Sequence, residues 1–260
     1  MMFDKKIIKS NFNKYSKNYN SKANLQKIIA NQLCEFAKFE VQNSQNILDL
    51  GCGTGFIGQN LLKNYDFSNK ELFQLDIAQK MFDNNPNKGS NIFNIQADIE
   101  NLPFKNGKKF DLILSSLAFQ WLNNLNFALK NIKNILKPNS KLVFSIFIDG
   151  TLCELKQSAK EIGVNLSINN FIKEEELNQI IAQNFKDYQI EIVDFKEEYK
   201  DIYELLNSIK QIGASYSVKE RNILTKQDFK DLNNFYLKNF NNHDRIVAGW
   251  KVAYIKSFSN

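Results

Sequence analysis

One histidine, His243, three cysteines and three prolines are all that this chain of 260 residues carries of those types, and each scarcity removes a class of function. With a single imidazole, a histidine-rich metal site or a histidine-based triad would rest on that one residue. Its place between a helical and a strand-like segment reads as a loop histidine. Cys34, Cys52 and Cys153 are odd in number, widely spaced and nowhere form Cys-x-x-Cys, which argues against a disulfide framework and a zinc site. Three prolines and ten glycines leave no room for Pro/Gly low complexity. No run approaches the ~18 apolar residues that a membrane-spanning helix needs. The start, MMFDKKIIKSNFNKYSKNYN, lacks the continuous apolar core of a secretory signal. The expectation is a cytoplasmic protein with no metal and no membrane partner.

What is present is ordinary globular material: 43% apolar and 24% charged residues, enough to bury a core in one large domain or two small ones. The net charge of +6 favours acidic partners, nucleic acid among them. The Lys residues, however, are spread along the chain without a run, as on a solvated surface.

Hydrophobic periodicity predicts a helix near residues 22 to 38, from Leu25, Ile28, Ile29, Leu33 and Phe36. Then Asn46–Leu50 reads as a strand running into Gly51-Cys52-Gly53-Thr54-Gly55, after which Phe56, Ile57, Leu61, Leu62 and Tyr65 resume a helical period. Residues 71 to 75 read as a second strand ending at Asp76, with Met81 in a short helix, and residues 91 to 96 as a third strand ending near Asp98. Residues 110 to 115 are a fourth strand, Leu125 to Leu136 a helix stopped by Pro138, and residues 141 to 147 a fifth strand. Strands alternating with helices imply a parallel, doubly wound sheet. Beyond it, residues 151 to 185 look helical, 188 to 199 a strand, 202 to 213 and 226 to 240 helices, and 245 to 257 a last strand. The two late strands fit an antiparallel pair added to the sheet edge. One domain over 1 to 260 is expected, with a core about 40 to 148 and helical cap segments about 1 to 38, 151 to 185 and 201 to 240.

Between a strand and a helix, three glycines let the backbone turn tightly and approach a ligand, with the helix N-terminus facing it. Gly53 to Gly58 also matches the dinucleotide fingerprint G-x-G-x-x-G, with Asp76 at the distance of an acidic ribose ligand, so an NAD-dependent dehydrogenase is a rival. Asp49 weighs against it. This acid, two residues before the first glycine, would repel a dinucleotide phosphate and attract the ammonium of an amino-acid moiety. Asp98, after the third strand, stands where a carboxylate accepts a hydrogen bond from an adenine amino group. Three acids thus end three successive strands on the ligand side.

These residues resemble the class I S-adenosylmethionine-dependent methyltransferases, with ILDLGCGTG, LFQLDIAQKM and NIQADIENLPF as glycine, ribose and adenine motifs. FDLILSSLAFQWLNNL narrows the resemblance to the malonyl-[acyl-carrier protein] O-methyltransferase family, and so do FNKYSKNYNSKANLQKIIANQL, GTLCELKQS, LNSIKQIGAS and RNILTKQDFKDL. RIVAGWKVAYIK matches only as a strand pattern. The resemblance implies a Rossmann-like, mostly parallel seven-stranded sheet with an antiparallel edge and a helical cap. It implies S-adenosyl-L-methionine as cofactor, held by Asp49, Gly51, Gly53, Gly55, Asp76, Ile77, Asp98, Ile99 and Ser115. Transfer of its methyl group to the free carboxylate of malonyl-[acyl-carrier protein] gives the ester that primes pimeloyl and biotin synthesis. A carboxylate of pKa near 4 is already ionised at pH ~7, so no catalytic base is expected. Tyr19, Gln120, Trp121, Lys210 and Arg221, in the family-like segments, are candidates for substrate contact. Lys210, Lys219 and Arg221 form a basic rim suited to an acidic acyl carrier protein. Rivals are a methyltransferase of another small acid or metabolite and a non-catalytic cofactor-binding subunit. A nucleic-acid methyltransferase is disfavoured, because Ser115-Ser116-Leu117-Ala118 stands where base-amino methyltransferases carry an Asn/Asp-Pro-Pro-aromatic run.

Overall fold

A computed structural model describes residues 3–104, 107–166, 168–213 and 224–259. Two helices open the chain. In α1 (Lys5–Lys22) Asp4 caps the N-terminus by accepting from the Lys6 N–H, and α2 (Asn24–Phe36) follows across Ala23. The helix predicted from periodicity is α2, and α1 lies within the helical cap segment expected over about 1 to 38, its mostly polar surface hiding any period of its own. A short α3 (Lys38–Gln42) leads to β1 (Asn46–Leu50), α4 (Phe56–Asn64), β2 (Glu71–Asp76), α5 (Gln79–Asp83), β3 (Ile92–Gln96) and β4 (Phe110–Ser116). A 3-10 turn at Phe119–Trp121 precedes α6 (Leu125–Lys133) and β5 (Leu136–Phe147). Then come α7 (Cys153–Glu161), α8 (Glu174–Asn184), β6 (Tyr188–Tyr199), α9 (Ile202–Gln211), α10 (Lys226–Asn239), β7 (Asn241–Asn242) and β8 (Arg245–Phe258).

The sheet order is β3-β2-β1-β4-β5-β8-β6. The five strands from β3 to β5 are mutually parallel, and β8 inserts antiparallel between β5 and β6. The expected seven strands form this path, and the two-residue β7 pairs with β8 as an eighth. His243 and Asp244, both at positive φ, make the two-residue turn between β7 and β8, the geometry of a tight hairpin. His243 is thus a hairpin residue.

Alternation along the strands sorts the core to two faces. Ile47, Leu112, Leu114 and Val143 face α2 and α4, through Ile29, Leu33, Ile57 and Leu61. Leu48, Leu50, Ile113 and Phe144 face α6 and α8, through Leu129, Ile132, Leu177 and Ile181. Asp49, in step with Ile47, is consequently buried on the α4 side beneath the glycine loop.

Two expected boundaries change. The helix α6 ends at Lys133, so Leu136 and Pro138 belong to β5, where the pairing jumps from Phe110↔Leu136 to Leu112↔Lys141. Residues 137 to 140 bulge out of the ladder, a position where a proline's missing N–H costs nothing. The expected helix over 151 to 185 is two helices, because Gly163 at φ +73 ends α7 and α8 begins only at Glu174, with Ile168 and Phe171, between the two, beside the site.

Candidate active site

The glycine loop lies across the carboxyl ends of β1 and β2. Gly51 and Cys52 both donate their N–H to the Leu75 carbonyl, at 2.7 and 3.0 Å, and Gly53 donates to the Asp76 carboxylate at 2.8 Å. Gly51 stands at φ +71, and a Cβ there would collide with that of Ala118, so glycine is required twice over. Gly53 also has positive φ, +55, but a Cβ there would meet nothing. It borders open space that the protein itself does not fill.

That space is a cleft lined by Gly51, Gly53, Asp76, Ile77, Asp98 and Ile99 of the expected cofactor residues and also by Lys5, Ile8, Met81, Ser116 and Ala118. The remaining three are placed differently. Gly55 caps α4 and its carbonyl accepts from Asn87 Nδ2 at 3.0 Å. Asp49 is wholly buried behind the loop. Ser115 is a correction: its hydroxyl is buried and donates to the Leu50 carbonyl at 2.7 Å. Strand alternation turns it away and gives its neighbour Ser116 to the cleft wall.

Three carboxylates give the cleft its electrostatics. Asp76 accepts from Gly53 and, at 2.7 Å, from Ala78, yet burial outweighs these bonds and pushes its carboxyl up to about 6. Asp49 has no hydrogen-bond partner for either oxygen among the described residues, and burial, with Asp76 nearby, raises its pKa well above the carboxylate range. A buried, unpartnered acid beneath the loop fits a ligand bearing positive charge better than one bearing a pyrophosphate. Asp98 lies at the far end, where Lys5 Nζ approaches it at 3.6 Å while bonding Glu100 at 2.6 Å and the Trp121 carbonyl at 3.1 Å. Lys5 thereby pins α1 over the cleft, a role with no sequence signal because it depends on two segments about a hundred residues apart.

A second cleft shares with the first a wall formed by Phe12, Tyr19, Leu117 and Trp121. It is mostly apolar, bounded by Phe147, Leu152, Leu155, Phe171 and Trp250, with Leu206, Ile209 and Ile212 from α9 and its C-terminal end. Of the expected substrate residues, Tyr19, Gln120 and Trp121 line it. Tyr19 stacks on Phe56 with centroids 5.9 Å apart, and burial holds its phenol far above the usual range, so it stays protonated. Trp121 is wedged edge-on between Phe3 and Phe12, at 5.6 and 5.8 Å. Lys210 is a correction: it is exposed on α9, one residue along from the face that supplies Leu206 and Ile209. Arg221 and Lys219 lie outside the described residues. Sequence reasoning missed Phe12, Leu117 and Trp250, which read simply as apolar positions.

This sheet order, with a glycine loop after the first strand and an acid ending the second, defines a class I S-adenosylmethionine-dependent methyltransferase; the unpartnered Asp49 and the space above Gly53 fit that cofactor. The sequence model of the methyltransferase domain matches residues 48–144. The chain is 32% identical over 256 residues to malonyl-[acyl-carrier protein] O-methyltransferase 2 of Ilyobacter polytropus, covering 98% of each, and it belongs to the malonyl-[acyl-carrier protein] O-methyltransferase family. In fold it is similar to the YcgJ protein of Bacillus subtilis, with a TM-score of 0.61 at 16% identity over 88% of this chain and 97% of that one. It is also similar to the plantazolicin methyltransferase BpumL, solved in complex with SAH, with a TM-score of 0.56 at 16% identity over 97% of this chain and 95% of that one.

Proposed function

We propose that the enzyme methylates the free carboxylate of malonyl-[acyl-carrier protein], yielding the methyl ester that primes pimeloyl and biotin synthesis. The observation that carries this reading is the pair of clefts meeting at one wall, Phe12, Tyr19, Leu117 and Trp121. When bound, S-adenosylmethionine supplies a methyl group already activated on a sulfonium. Asp76, Asp98 and the glycine loop, whose lack of side chains leaves open space above Gly53, would hold the donor from one side, with Asp49 beneath it. From the other side the apolar walls exclude water and align the acceptor. Bringing two reactants into line in this way is worth roughly 7–11 kcal/mol. An acceptor carboxylate is ionised at pH ~7, so no residue need remove a proton, and Tyr19, held neutral, serves as a hydroxyl donor beside the reacting oxygen.

The reading takes the chain as one functional unit. The sheet core, about 40 to 148, carries the donor, and the cap segments cover the acceptor. No helix among the described residues is long and apolar enough to cross a membrane, which agrees with a cytoplasmic enzyme and a soluble carrier partner. The test is turnover with methyl-labelled S-adenosylmethionine and malonyl-[acyl-carrier protein], with the product's ester identified by mass. Label in the malonyl ester is the expected result. Label transferred only to a different small acid, or no turnover with intact cofactor binding, would overturn it.

A further inference from the structure

The acceptor cleft contains an unmet pair of polar atoms. Among the described residues Trp250 Nε1 and Gln120 Oε1 are buried without a hydrogen-bond partner, in walls that are otherwise mostly apolar. Both atoms are fixed in character. The Trp250 indole, 6% exposed on β8, packs on Phe147 with centroids 5.3 Å apart, and its N–H can only donate. Gln120 Nε2 donates to the Leu117 carbonyl at 2.6 Å. Flipping the amide would set oxygen against oxygen, so Oε1 is the end left to accept. The site therefore offers one donor and one acceptor to whatever fills it, and a ligand lacking either complement leaves a buried polar group unpaired.

A malonyl group alone brings oxygens and no N–H. A pantetheine thioester brings both, because an amide N–H follows the sulfur after two methylenes. Gln120 is also where a third cleft begins: it shares Gln120, Phe147 and Phe171 with the acceptor cleft and is lined by Asn124, Asn126 and Asn170, a polar route along which such an arm can run.

Resting on the malonyl-thioester reading above, we propose that Trp250 Nε1 donates to an oxygen of the acyl thioester while Gln120 Oε1 accepts the first amide N–H of the pantetheine arm. Together they select a pantetheine thioester over a simple malonyl thioester.

The test uses the full chain, S-adenosylmethionine and two acceptors: malonyl-N-acetylcysteamine thioester, and a malonyl alkyl thioester of equal length that lacks the amide. The wild type prefers the amide-bearing acceptor by roughly tenfold in kcat/KM. Gln120→Met brings that ratio close to one, whereas Gln120→Glu, which still presents an acceptor, keeps the ratio at lower overall activity. Trp250→Phe raises KM for both acceptors by roughly tenfold, with affinity for S-adenosylhomocysteine unchanged as a check on folding. Equal wild-type rates for the two acceptors, a Gln120→Met variant that retains the ratio, Met and Glu variants that behave alike, or an unmoved KM in Trp250→Phe would each overturn the inference. Should the wild type methylate neither thioester, the malonyl reading itself fails. Should it methylate both while the variants track it, only the role given to these two residues falls.

Discussion

The two clefts are built by opposite means. The polar floor of the first cleft, its glycine loop and strand-end acids, comes from one stretch, residues 46 to 101, with the loop N–H groups tied to Leu75 and Asp76, while α1 and the segment after β4 close it over. The acceptor cleft is made of apolar side chains from α1, the end of β5, α7, α9 and β8, gathered from across the chain. A cofactor with fixed charges and hydroxyls calls for fixed partners, which a local motif can supply. An acyl chain calls for dry volume, which many residue types can supply from anywhere.

The largest expected effect breaks the donor side. Gly51→Ala forces a Cβ into Ala118 at a positive φ, and calorimetry with S-adenosylhomocysteine should show binding reduced at least ~100-fold, since strain and collision add. Ala118→Gly in the same chain removes the collision and leaves the φ strain, so it should restore part of the affinity. Next, Asp76→Ala should weaken binding by about 1.5–3 kcal/mol with the fold intact. Unchanged affinity would remove Asp76 from the site. On the acceptor side, Ile209→Ala opens the apolar wall. Steady-state kinetics should then show the acceptor KM raised by roughly 10-fold, from about 1–3 kcal/mol of lost apolar contact, with cofactor affinity unmoved. If both affinities fell together, the separation of the two clefts would be wrong.

A smaller effect is electrostatic. Because burial lifts Asp76 to about 6 from an ordinary 3.8, the cofactor-free folded protein holds a proton between those values that the unfolded chain has released. Stability from this group is therefore greatest below pH ~4 and is lost as pH rises through 6, a change on the order of 3 kcal/mol. Hydroxyl donors from a bound ribose favour the ionised form, so cofactor binding near pH 6 should release a proton. The calorimetric heat should accordingly depend on the buffer's ionisation enthalpy at pH 6 and not at pH 8. The smallest effect concerns the rim. Raising salt should slow methylation of malonyl-[acyl-carrier protein] more than that of malonyl-coenzyme A, and reversing Lys219 and Arg221 should raise KM for the carrier with kcat nearly constant. Equal salt sensitivity would make these cations an ordinary solvated surface.

The same contrast governs what was legible in the sequence. The strand, glycine loop, helix and the acids Asp76 and Asp98 were readable because each is a local rule: a period of two, a positive φ, a carboxylate at a strand end. Ser115 was misplaced by one residue, since alternation decides which of two adjacent serines faces the cleft and strand-end geometry is not written in composition. Lys210 was misplaced because a helical period shows which face is apolar without showing what that face covers. Residues 151 to 185 and the end of α6 were misread for a related reason: Leu136 continues a helical period yet is taken by β5 through pairing with Phe110.

The sequence by itself determined a doubly wound sheet and a glycine loop between strand and helix, because spacing along a strand or helix is enough to specify them, whereas the carboxylate chemistry followed from the resemblance of its longer segments to a known family. Only the tertiary structure decided that Asp49 is left without a partner among the described residues, that Lys5 pins α1 over the first cleft, and that Trp250 and Gln120 line one cleft. Each of these depends on side chains brought together by burial from segments far apart in the chain, and no local pattern encodes which distant surfaces will exclude water together.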